Sequence, residues 1–288
     1  MRAPESCELC PRRCQARRRD GASGACGADD RVLLAAATIH HGEEPPISGE
    51  RGSATFFFAN CPLACRFCQN FPISQLGHGT EVEVPWLARR MLQLQRRGAH
   101  NVNIVTGTQY APWIVAAVQL AKERGLAVPI AWNTSGFENE DTIELLADTV
   151  DIYLTDIKYD NDAIALELSN APDYFATATR AANRMVEQVG PLTTDDAGMA
   201  VRGVIVRHLV LPGGLAGTEQ VMRFVVDKLG AEVPVSLMCQ YFPAHRAHGH
   251  PLLGRNVDDD EYREAIRAAH KAGVERGWFQ DPDAAGGA

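Results

Sequence analysis

Three closely spaced cysteines are the most chemically specific feature of the chain. Cys61, Cys65 and Cys68 lie in the stretch CPLACRFC with the spacing C-x3-C-x2-C, and the chain has eight cysteines in all. A structural zinc site usually closes its coordination with four ligands, often as two pairs, and no partner pair lies near this triplet in the sequence. Three thiolates instead suit an iron–sulfur cluster in which one iron has no protein ligand. An open iron is a place where chemistry can occur.

A second group of cysteines lies near the start of the chain. Its four members have the spacing C-x2-C-x3-C-x11-C, which suits either a second iron–sulfur cluster or a zinc ion, and a group without metal is the third alternative. The surrounding segment shows little hydrophobic periodicity, so we expect a metal to organise it. The four residues are Cys7, Cys10, Cys14 and Cys26.

Five arginines accompany this second group. They either lower the pKa of the thiols and attract an acidic electron donor, or they form a solvated basic loop. Aromatic residues do not alternate with them, so a nucleic-acid platform is not expected. The five are Arg12, Arg13, Arg17, Arg18 and Arg19.

The composition sets wider bounds on function. The 288 residues are 45% hydrophobic and 22% charged, as in ordinary globular proteins. The formal net charge of −8 should make the surface repel nucleic acid and acidic membranes. No apolar run approaches the roughly 18 residues of a membrane span, and the first residues do not form a signal peptide. We therefore predict a cytoplasmic protein, in which clustered cysteines serve metal or redox chemistry rather than disulfides.

Six strand-like runs alternate with helical segments and must position these cysteines. Such alternation predicts parallel βα units, and right-handed crossovers would wrap them into an α/β fold, a partial (β/α)6 barrel. The strands are predicted at Ala54 to Ala59, Val102 to Val105, Val128 to Trp132, Ile152 to Leu154, Gly203 to Leu209 and Val235 to Met238. The helices are predicted at Pro85 to Arg97, Pro112 to Arg124, Glu138 to Ala147, within Ala163 to Val189, Glu219 to Leu229 and Asp259 to Ala272.

Three regions follow from this pattern. We assign residues 1–48 to the cysteine-rich metal-binding module and a linker, 49–245 to the barrel core, and 246–288 to a C-terminal helix and tail. Ligands of parallel βα folds bind at the carboxyl ends of the strands, and polar residues gather there in this sequence. They include the triplet after the first strand, Thr106, Gly107 and Thr108 after the second, Asn133 and Ser135 after the third, Asp156 and Lys158 after the fourth, and His208 on the fifth.

The triplet resembles the C-x3-C-x-aromatic-C signature of radical S-adenosylmethionine (SAM) enzymes. That resemblance implies that Cys61, Cys65 and Cys68 hold a [4Fe-4S] cluster whose open iron is chelated by the amino and carboxylate groups of SAM. It also implies that Phe67 lies near the adenine and that the barrel is the partial barrel of this superfamily.

The resemblance extends along most of the chain. The stretches CELCPRRC, GEEPPISG, CQNFPIS, NTSGFE, VDIYLTDIKY, VRHLVLPG and MCQYFPAH are similar to a subgroup related to pyruvate formate-lyase activating enzyme. Asp156 and Lys158 are two positions apart and could form a simple ion pair on one face of the strand. By the similarity they contact bound SAM instead, and Asn133 and Ser135 help to hold it. We expect His208, near the end of the fifth strand, to line the same site.

One departure from the pattern concerns the ammonium group of SAM. Many relatives end the second strand with Gly-Gly-Glu, whose backbone and carboxylate receive this group, whereas this chain has Thr106-Gly107-Thr108. Hydroxyl groups and backbone carbonyls would then have to receive the ammonium.

The resemblance implies a reaction as well. The enzyme would cleave SAM reductively to a 5′-deoxyadenosyl radical for hydrogen abstraction, with either a glycyl-radical enzyme to activate or a peptide or small molecule to modify. An electron donor such as flavodoxin or ferredoxin would be a partner, and neither nucleic acid nor a membrane is expected. The alternatives from other classes are a noncatalytic iron–sulfur electron carrier, disfavoured because carriers normally close all four cluster ligands, and a zinc-dependent binding module.

Overall fold

A computed structural model describes residues 4–280 of the chain. The strands in this part are β1 (Leu33–His40), β2 (Ser53–Phe58), β3 (Thr80–Glu81), β4 (Val102–Val105), β5 (Ile130–Thr134), β6 (Ile152–Asp156), β7 (Thr193–Thr194), β8 (Ala200–Leu209), β9 (Val235–Met238) and β10 (Gly277–Phe279). The helices are α1 (Pro45–Ser48), α2 (Phe71–Ser74), α3 (Val84–Arg96), α4 (Ala111–Lys122), α5 (Glu140–Leu145), α6 (Asp162–Ser169), α7 (Tyr174–Val189), α8 (Thr218–Phe224) and α9 (Asp259–Ala272).

The strands form one open sheet in the order β10-β9-β8-β6-β5-β4-β2-β1-β3, with β7 paired to β8. From β2 to β10 every neighbouring pair is parallel, whereas β1 is antiparallel to both β2 and β3. The predicted partial barrel is thereby confirmed, since the six predicted strands are parallel neighbours and the sheet does not close. The strand β10 adds a seventh parallel strand that the sequence pattern did not predict.

Two segments differ from the sequence expectation for local reasons. The helical region after the fourth predicted strand splits into α6 and α7, because Asn170 adopts a left-handed conformation with φ of 50° and Pro172 follows. The linker before the first predicted strand, for which no helix was predicted, contains α1, with Pro45 in its first turn.

Alternation along the strands gives the sheet two different faces. Outward side chains such as Phe56, Ile104 and Trp132 belong to the large core shared with α3 and α4. Inward side chains such as Ala131 and Leu154 form a smaller cluster with Ile47 of α1. α1 packs against this inner face near the amino ends of the strands, where Asn101 donates to the carbonyl of Ile47 at 2.7 Å.

Two strands lie in regions that the sequence analysis placed outside the barrel core. β1 comes from the stretch assigned to the module and linker, and β10 comes from the stretch assigned to the C-terminal helix and tail. Both pair with core strands, so the sheet joins all three regions. Among the helices of residues 4–280, none combines the length and apolar character needed to cross a bilayer.

Candidate functional site

The cysteine triplet lies in the loop that follows β2. All three thiols are free and half-buried. Burial raises the pKa of the Cys61 thiol, and the neighbouring Cys65 and Cys68 raise it further. The three sulfurs therefore lie close enough to interact electrostatically, although they come from positions up to seven residues apart.

Each sulfur of the triplet also has a hydrogen-bond partner. The Leu63 amide donates to Cys61 Sγ at 3.4 Å, and the Ser169 hydroxyl donates to Cys65 Sγ at 3.0 Å. Cys68 Sγ lies 3.1 Å from the Ser74 hydroxyl. Donors of this kind stabilise thiolates, which are the form that binds iron.

The arrangement of the triplet can be tested against the metal centre it would hold. Within residues 4–280, no three His, Cys, Asp or Glu side chains converge as ligands of a single ion. Three thiols that influence one another electrostatically, without a fourth cysteine among them, suit an iron–sulfur cluster with one open iron.

Asp156 and Lys158 form an ion pair at the carboxyl end of β6. Their side chains are 19% and 18% exposed, so the pair is accessible but mostly shielded from water. Burial lowers the pKa of Lys158, but Asp156 and the Cys65 thiol raise it by more, so the ammonium stays charged. Burial raises the pKa of the Cys65 thiol, and the positive charge of Lys158 opposes this effect. The ion pair therefore lies beside the triplet.

Tyr174, at the start of α7, holds residues 156–158 in place, and we call these residues the Asp156 segment. Its buried hydroxyl donates to the carbonyl of Ser135 at 2.7 Å and lies 3.3 Å from the carbonyl of Asp156. It also accepts a hydrogen bond from the Lys158 amide at 3.0 Å. The sequence analysis missed Tyr174, because nothing in its local sequence distinguishes it from a core tyrosine of a helix.

The segment Thr106-Gly107-Thr108 follows β4 directly. Thr106 has a φ of 57°, a left-handed conformation that is unfavourable for a β-branched residue. At Gly107 a Cβ would lie 2.7 Å from both Ile104 and Trp132, so only glycine fits. Strained backbone of this kind persists only when its surroundings hold it, and it is concentrated at functional sites.

Gln109 fixes this segment to the residues that lead into the triplet. Its side-chain amide nitrogen donates to the carbonyls of Ala59 at 2.8 Å, Asn60 at 3.1 Å and Thr106 at 2.8 Å. Asn60, which immediately precedes Cys61, is itself left-handed with a φ of 68°, and its amide donates to the Tyr110 hydroxyl. The ends of β2 and β4 are therefore joined by buried hydrogen bonds.

The remaining predicted cofactor residues lie in different environments. Asn133 and Ser135 are half-buried at the end of β5, next to the Asp156 segment. Phe67 is 6% exposed and packs edge-on against Tyr241, with 5.7 Å between ring centroids. Their contacts with SAM remain predictions.

His208 lies behind the Asp156 segment. It is completely buried; its Nδ1 lies 2.6 Å from the Ile157 carbonyl and its Nε2 lies 3.0 Å from the Thr218 hydroxyl. Burial lowers the pKa of His208 to about 4, so the ring is neutral, with Nδ1 as donor and Nε2 as acceptor. His208 thus holds the backbone between Asp156 and Lys158, and its direct contact with a cofactor remains a prediction.

The four N-terminal cysteines come together as a second group. Cys7 and Cys10 are buried, and burial raises the pKa of Cys10 to about 12, with further contributions from Cys26 and Cys7. Burial likewise raises the pKa of Cys26, and Cys7 and Cys14 raise it further. The group is therefore assembled by the fold.

The module that carries this group is fastened to the carboxyl ends of the strands. Arg12 Nε donates to the carbonyl of Pro62, directly after Cys61, at 2.5 Å. Asn139 and Thr142, around the start of α5, donate to the carbonyls of Glu8 at 2.6 Å and Leu9 at 2.8 Å. The N-terminal cysteines thus lie over the same end of the barrel as the triplet.

Arg18 does not belong to a solvated loop, which corrects that alternative for this residue. Its side chain is completely buried and donates to the carbonyls of Asp29 and Gln109, each at 2.7 Å. Its guanidinium carbon lies 5.2 Å from the centre of the Trp113 ring. Its charge lowers the pKa of Cys26, which burial raises, as expected for an arginine that stabilises thiolates.

Known proteins resemble this chain at the level of the family and of the fold. Residues 55–209 match the family described as the Radical SAM superfamily. "Uncharacterized protein MJ0674" of Methanocaldococcus jannaschii is 29% identical over 274 residues, which cover 93% of this chain and 75% of the relative.

The solved structures that resemble this chain are distant in sequence. The FeFe-hydrogenase maturase HydG from Carboxydothermus hydrogenoformans has a TM-score of 0.53 at 13% identity, over 78% of this chain and 52% of HydG. This chain thus spans about half the length of HydG. A domain of pyruvate-formate lyase-activating enzyme from Bacteroides vulgatus has a TM-score of 0.43 at 11% identity, over 60% of this chain and 92% of that domain. Because the family match spans more than half of the residues, the chain belongs to the radical SAM superfamily.

Proposed function

We propose that the protein holds a [4Fe-4S] cluster through Cys61, Cys65 and Cys68 and cleaves SAM reductively to a 5′-deoxyadenosyl radical for hydrogen abstraction. The observation that carries this proposal is the juxtaposition of three free, mutually close thiols with the Asp156–Lys158 ion pair at the carboxyl ends of the strands. Membership of the superfamily supports the same chemistry.

The cofactors supply the difficult step, which is a one-electron cleavage of the bond between the sulfonium sulfur and C5′. The protein has to bind and orient SAM and to keep water away from the radical. Lys158 and Asp156 offer one charge of each sign to the zwitterionic end of SAM, and Tyr174 fixes the backbone that carries them. Fixed groups of this kind lose little free energy to reorganisation when SAM binds.

For the substrate, we propose the backbone Cα of a partner glycyl-radical enzyme. The sheet is open between β10 and the β1–β3 edge, so a polypeptide loop could approach the strand ends from the side. The alternatives are another peptide or a small molecule. A flavodoxin or ferredoxin would supply the electron.

The direct test is anaerobic reconstitution with iron and sulfide, reduction with dithionite, and assay of 5′-deoxyadenosine in the presence of SAM. We expect the wild-type protein to form 5′-deoxyadenosine and Cys65→Ala to form none above background. Cys239→Ala is the matched control, because Cys239 belongs to neither cysteine group, and it should retain the parental rate. Equal rates in Cys65→Ala and the wild type would refute the ligand assignment.

The substrate proposal needs its own measurement. Electron paramagnetic resonance (EPR) of the reduced mixture, with any protein that co-purifies with the chain, should reveal a glycyl radical on the partner that depends on SAM. Formation of 5′-deoxyadenosine together with a changed peptide or metabolite, and without a protein radical, would favour the alternative modifying enzyme.

A further inference from the structure

The backbone around the N-terminal cysteines turns main-chain N–H groups toward their sulfurs. Gln15 and Gly27, which directly follow Cys14 and Cys26, are left-handed with φ of 53° and 87°. At three of the four cysteines, the residue two positions later donates its main-chain N–H to the sulfur: Arg12 to Cys10, Ala16 to Cys14 and Ala28 to Cys26. Donors of this kind stabilise thiolates, the form of cysteine that binds a metal.

The four sulfurs form one group rather than separate pairs. A Cβ built on Gly24 would lie 3.4 Å from Cys26 Sγ and 3.6 Å from Cys14 Sγ, so both sulfurs face the same glycine. Burial is the main cause of the raised pKa of Cys10 and of Cys26, and the nearby Cys7 raises both further. The ligands of one metal centre have to be assembled in this way, whereas free thiols do not.

A buried arginine lies against this group without a carboxylate partner. Arg18 is completely buried, and its Nη1 lies 3.9 Å from Cys7 Sγ. Its other hydrogen bonds go to main-chain carbonyls, and no carboxylate of residues 4–280 forms an ion pair with it. The carboxylate of Asp29 pairs with Arg31 instead. A guanidinium buried in this way requires negative charge nearby, and metal-bound thiolates would supply it.

We propose that the four N-terminal cysteines hold a second metal centre as thiolates and that Arg18 compensates its negative charge. The ligands are Cys7, Cys10, Cys14 and Cys26. Four thiolates outweigh the positive charge of a zinc ion and that of an oxidised [4Fe-4S] core, so either centre is anionic. In the described part of the chain no three side chains converge on a single ion, so a zinc ion would have to draw the thiolates together, whereas each thiolate of a cluster binds its own iron. The centre does not require SAM, so its assignment stands or fails independently of the proposed function.

Removal of the triplet isolates the second centre. The triplet-free variant is Cys61→Ala/Cys65→Ala/Cys68→Ala. We would reconstitute it anaerobically with iron, sulfide and zinc, remove unbound metal, and measure iron, zinc and sulfide per chain. A cluster would give about four irons with equal sulfide and an EPR signal after reduction with dithionite, and a zinc site would give about one zinc without sulfide.

Two additions to the triplet-free variant make this measurement specific. Cys10→Ala/Cys14→Ala should abolish the bound metal, because it removes two of the four ligands. Cys239→Ala is the matched control and should leave the metal content unchanged. Absence of both metals from the triplet-free variant, or equal metal content after Cys10→Ala/Cys14→Ala, would overturn the assignment.

The wild-type protein provides a second measurement if the triplet-free variant folds poorly. Cys14 and Cys26 are only half-buried, so we expect a bound metal to protect them from alkylation. In the reconstituted protein iodoacetamide should modify neither residue, and it should modify both after a chelator has removed the metal, as mass spectrometry of the peptides would show. Equally rapid modification before and after chelation would contradict the metal centre.

Variants of Arg18 test the compensation of charge. In the triplet-free background, we expect Arg18→Met to release metal to a chelator about 10-fold faster than its parent, and Arg18→Lys, which keeps the charge, to stay within about threefold of it. Arg17→Met is the matched control, since Arg17 is 76% exposed, and it should release metal at the parental rate. Equal acceleration in Arg18→Met and Arg18→Lys would overturn the compensating role, because only Arg18→Met removes the charge.

Discussion

Arg18 Nη1 donates a hydrogen bond to the main-chain carbonyl of Gln109, 91 positions later in the chain, at 2.7 Å. Gln109 in turn donates through its side chain to the carbonyls of Asn60 and Thr106. Since Asn60 precedes Cys61, one buried set of hydrogen bonds connects the N-terminal cysteine module with the triplet and with the segment expected to receive SAM. The two cysteine groups therefore depend on the same contacts.

The first prediction concerns Arg18. Arg18→Met keeps much of the side-chain volume but leaves the carbonyls of Asp29 and Gln109 without their donor, which should lower the free energy of unfolding by about 2–4 kcal/mol. Denaturant unfolding of the reconstituted protein measures this loss. Arg17→Met is the matched control, because Arg17 is 76% exposed and should change stability by less than about 0.5 kcal/mol. Equal stability of the two variants would contradict the buried role of Arg18.

The second prediction concerns the turn that follows β5 and contacts the backbone of Asp156. Gly136 has a φ of 76°, and a Cβ there would lie 2.2 Å from the carbonyl oxygen of Asp156. Gly136→Ala should therefore displace Asp156 and destabilise the protein by more than backbone strain alone, which costs about 1–2 kcal/mol. Gly125→Ala is the control, since Gly125 has a φ of 96° with open space around it and reports the strain by itself.

Thermal unfolding and SAM binding together test this pair of variants. We expect Gly125→Ala to lower the melting temperature slightly and to leave SAM affinity unchanged. Gly136→Ala should lower both. Two variants with equal losses of stability and normal SAM affinity would show that the contact with Asp156 does not matter.

The third prediction concerns pH and the ion cluster inside the barrel. Arg207 of β8 pairs with Glu43 and Glu44, and His40 Nδ1 lies 3.2 Å from Glu43. Burial raises the pKa of Glu43, but His40 and Arg207 lower it by more, to about 2, whereas its hydrogen bond with Glu43 raises the pKa of His40. The contribution of Glu43 to the free energy of unfolding is therefore full above the ordinary carboxyl pKa and is lost only as the pH falls toward 2.

The contribution of His40 to stability has the opposite dependence on pH. It is full below the ordinary histidine pKa and is lost as the pH rises through the raised value. Between pH 5.5 and 9, the stability difference between the wild type and Glu43→Gln should fall by about 0.5–1 kcal/mol, because the pair is partly exposed. When both proteins also carry His40→Asn, the stability difference should no longer fall between pH 5.5 and 9. A difference that grows with pH would contradict the assignment.

The fold was largely predictable because the six core strands carry it in their own sequence. Val102–Val105 and Val235–Met238 are short runs in which three of the four residues are apolar, and the structure gives both the predicted bounds. The edge strands were not predictable in this way. Leu33–His40 contains three alanines and lies at one side of the parallel sheet, and Gly277–Phe279 has only three residues, so the pairing partner defines each strand more than its own composition does.

Two parts of the candidate site could be proposed from the sequence, because the spacing between their residues is informative. The triplet and the Asp156–Lys158 pair follow from residue types at short separations, and the structure brings them together. Arg18 and Tyr174 could not be predicted, because each acquires its role through hydrogen bonds to residues far along the chain. An arginine in a basic stretch looks like a surface residue until the partners that bury it are known.

The central claim is that the cluster at Cys61, Cys65 and Cys68 has one iron without a protein ligand. The most direct measurement is EPR of the reduced, reconstituted Cys7→Ala/Cys10→Ala variant, in which the N-terminal group cannot contribute a cluster, recorded with and without SAM. We predict a [4Fe-4S]⁺ signal that changes when SAM is added, because SAM binds the open iron. A cluster signal that SAM leaves unchanged would contradict the account, as would the absence of iron from this variant while Cys65→Ala retains it.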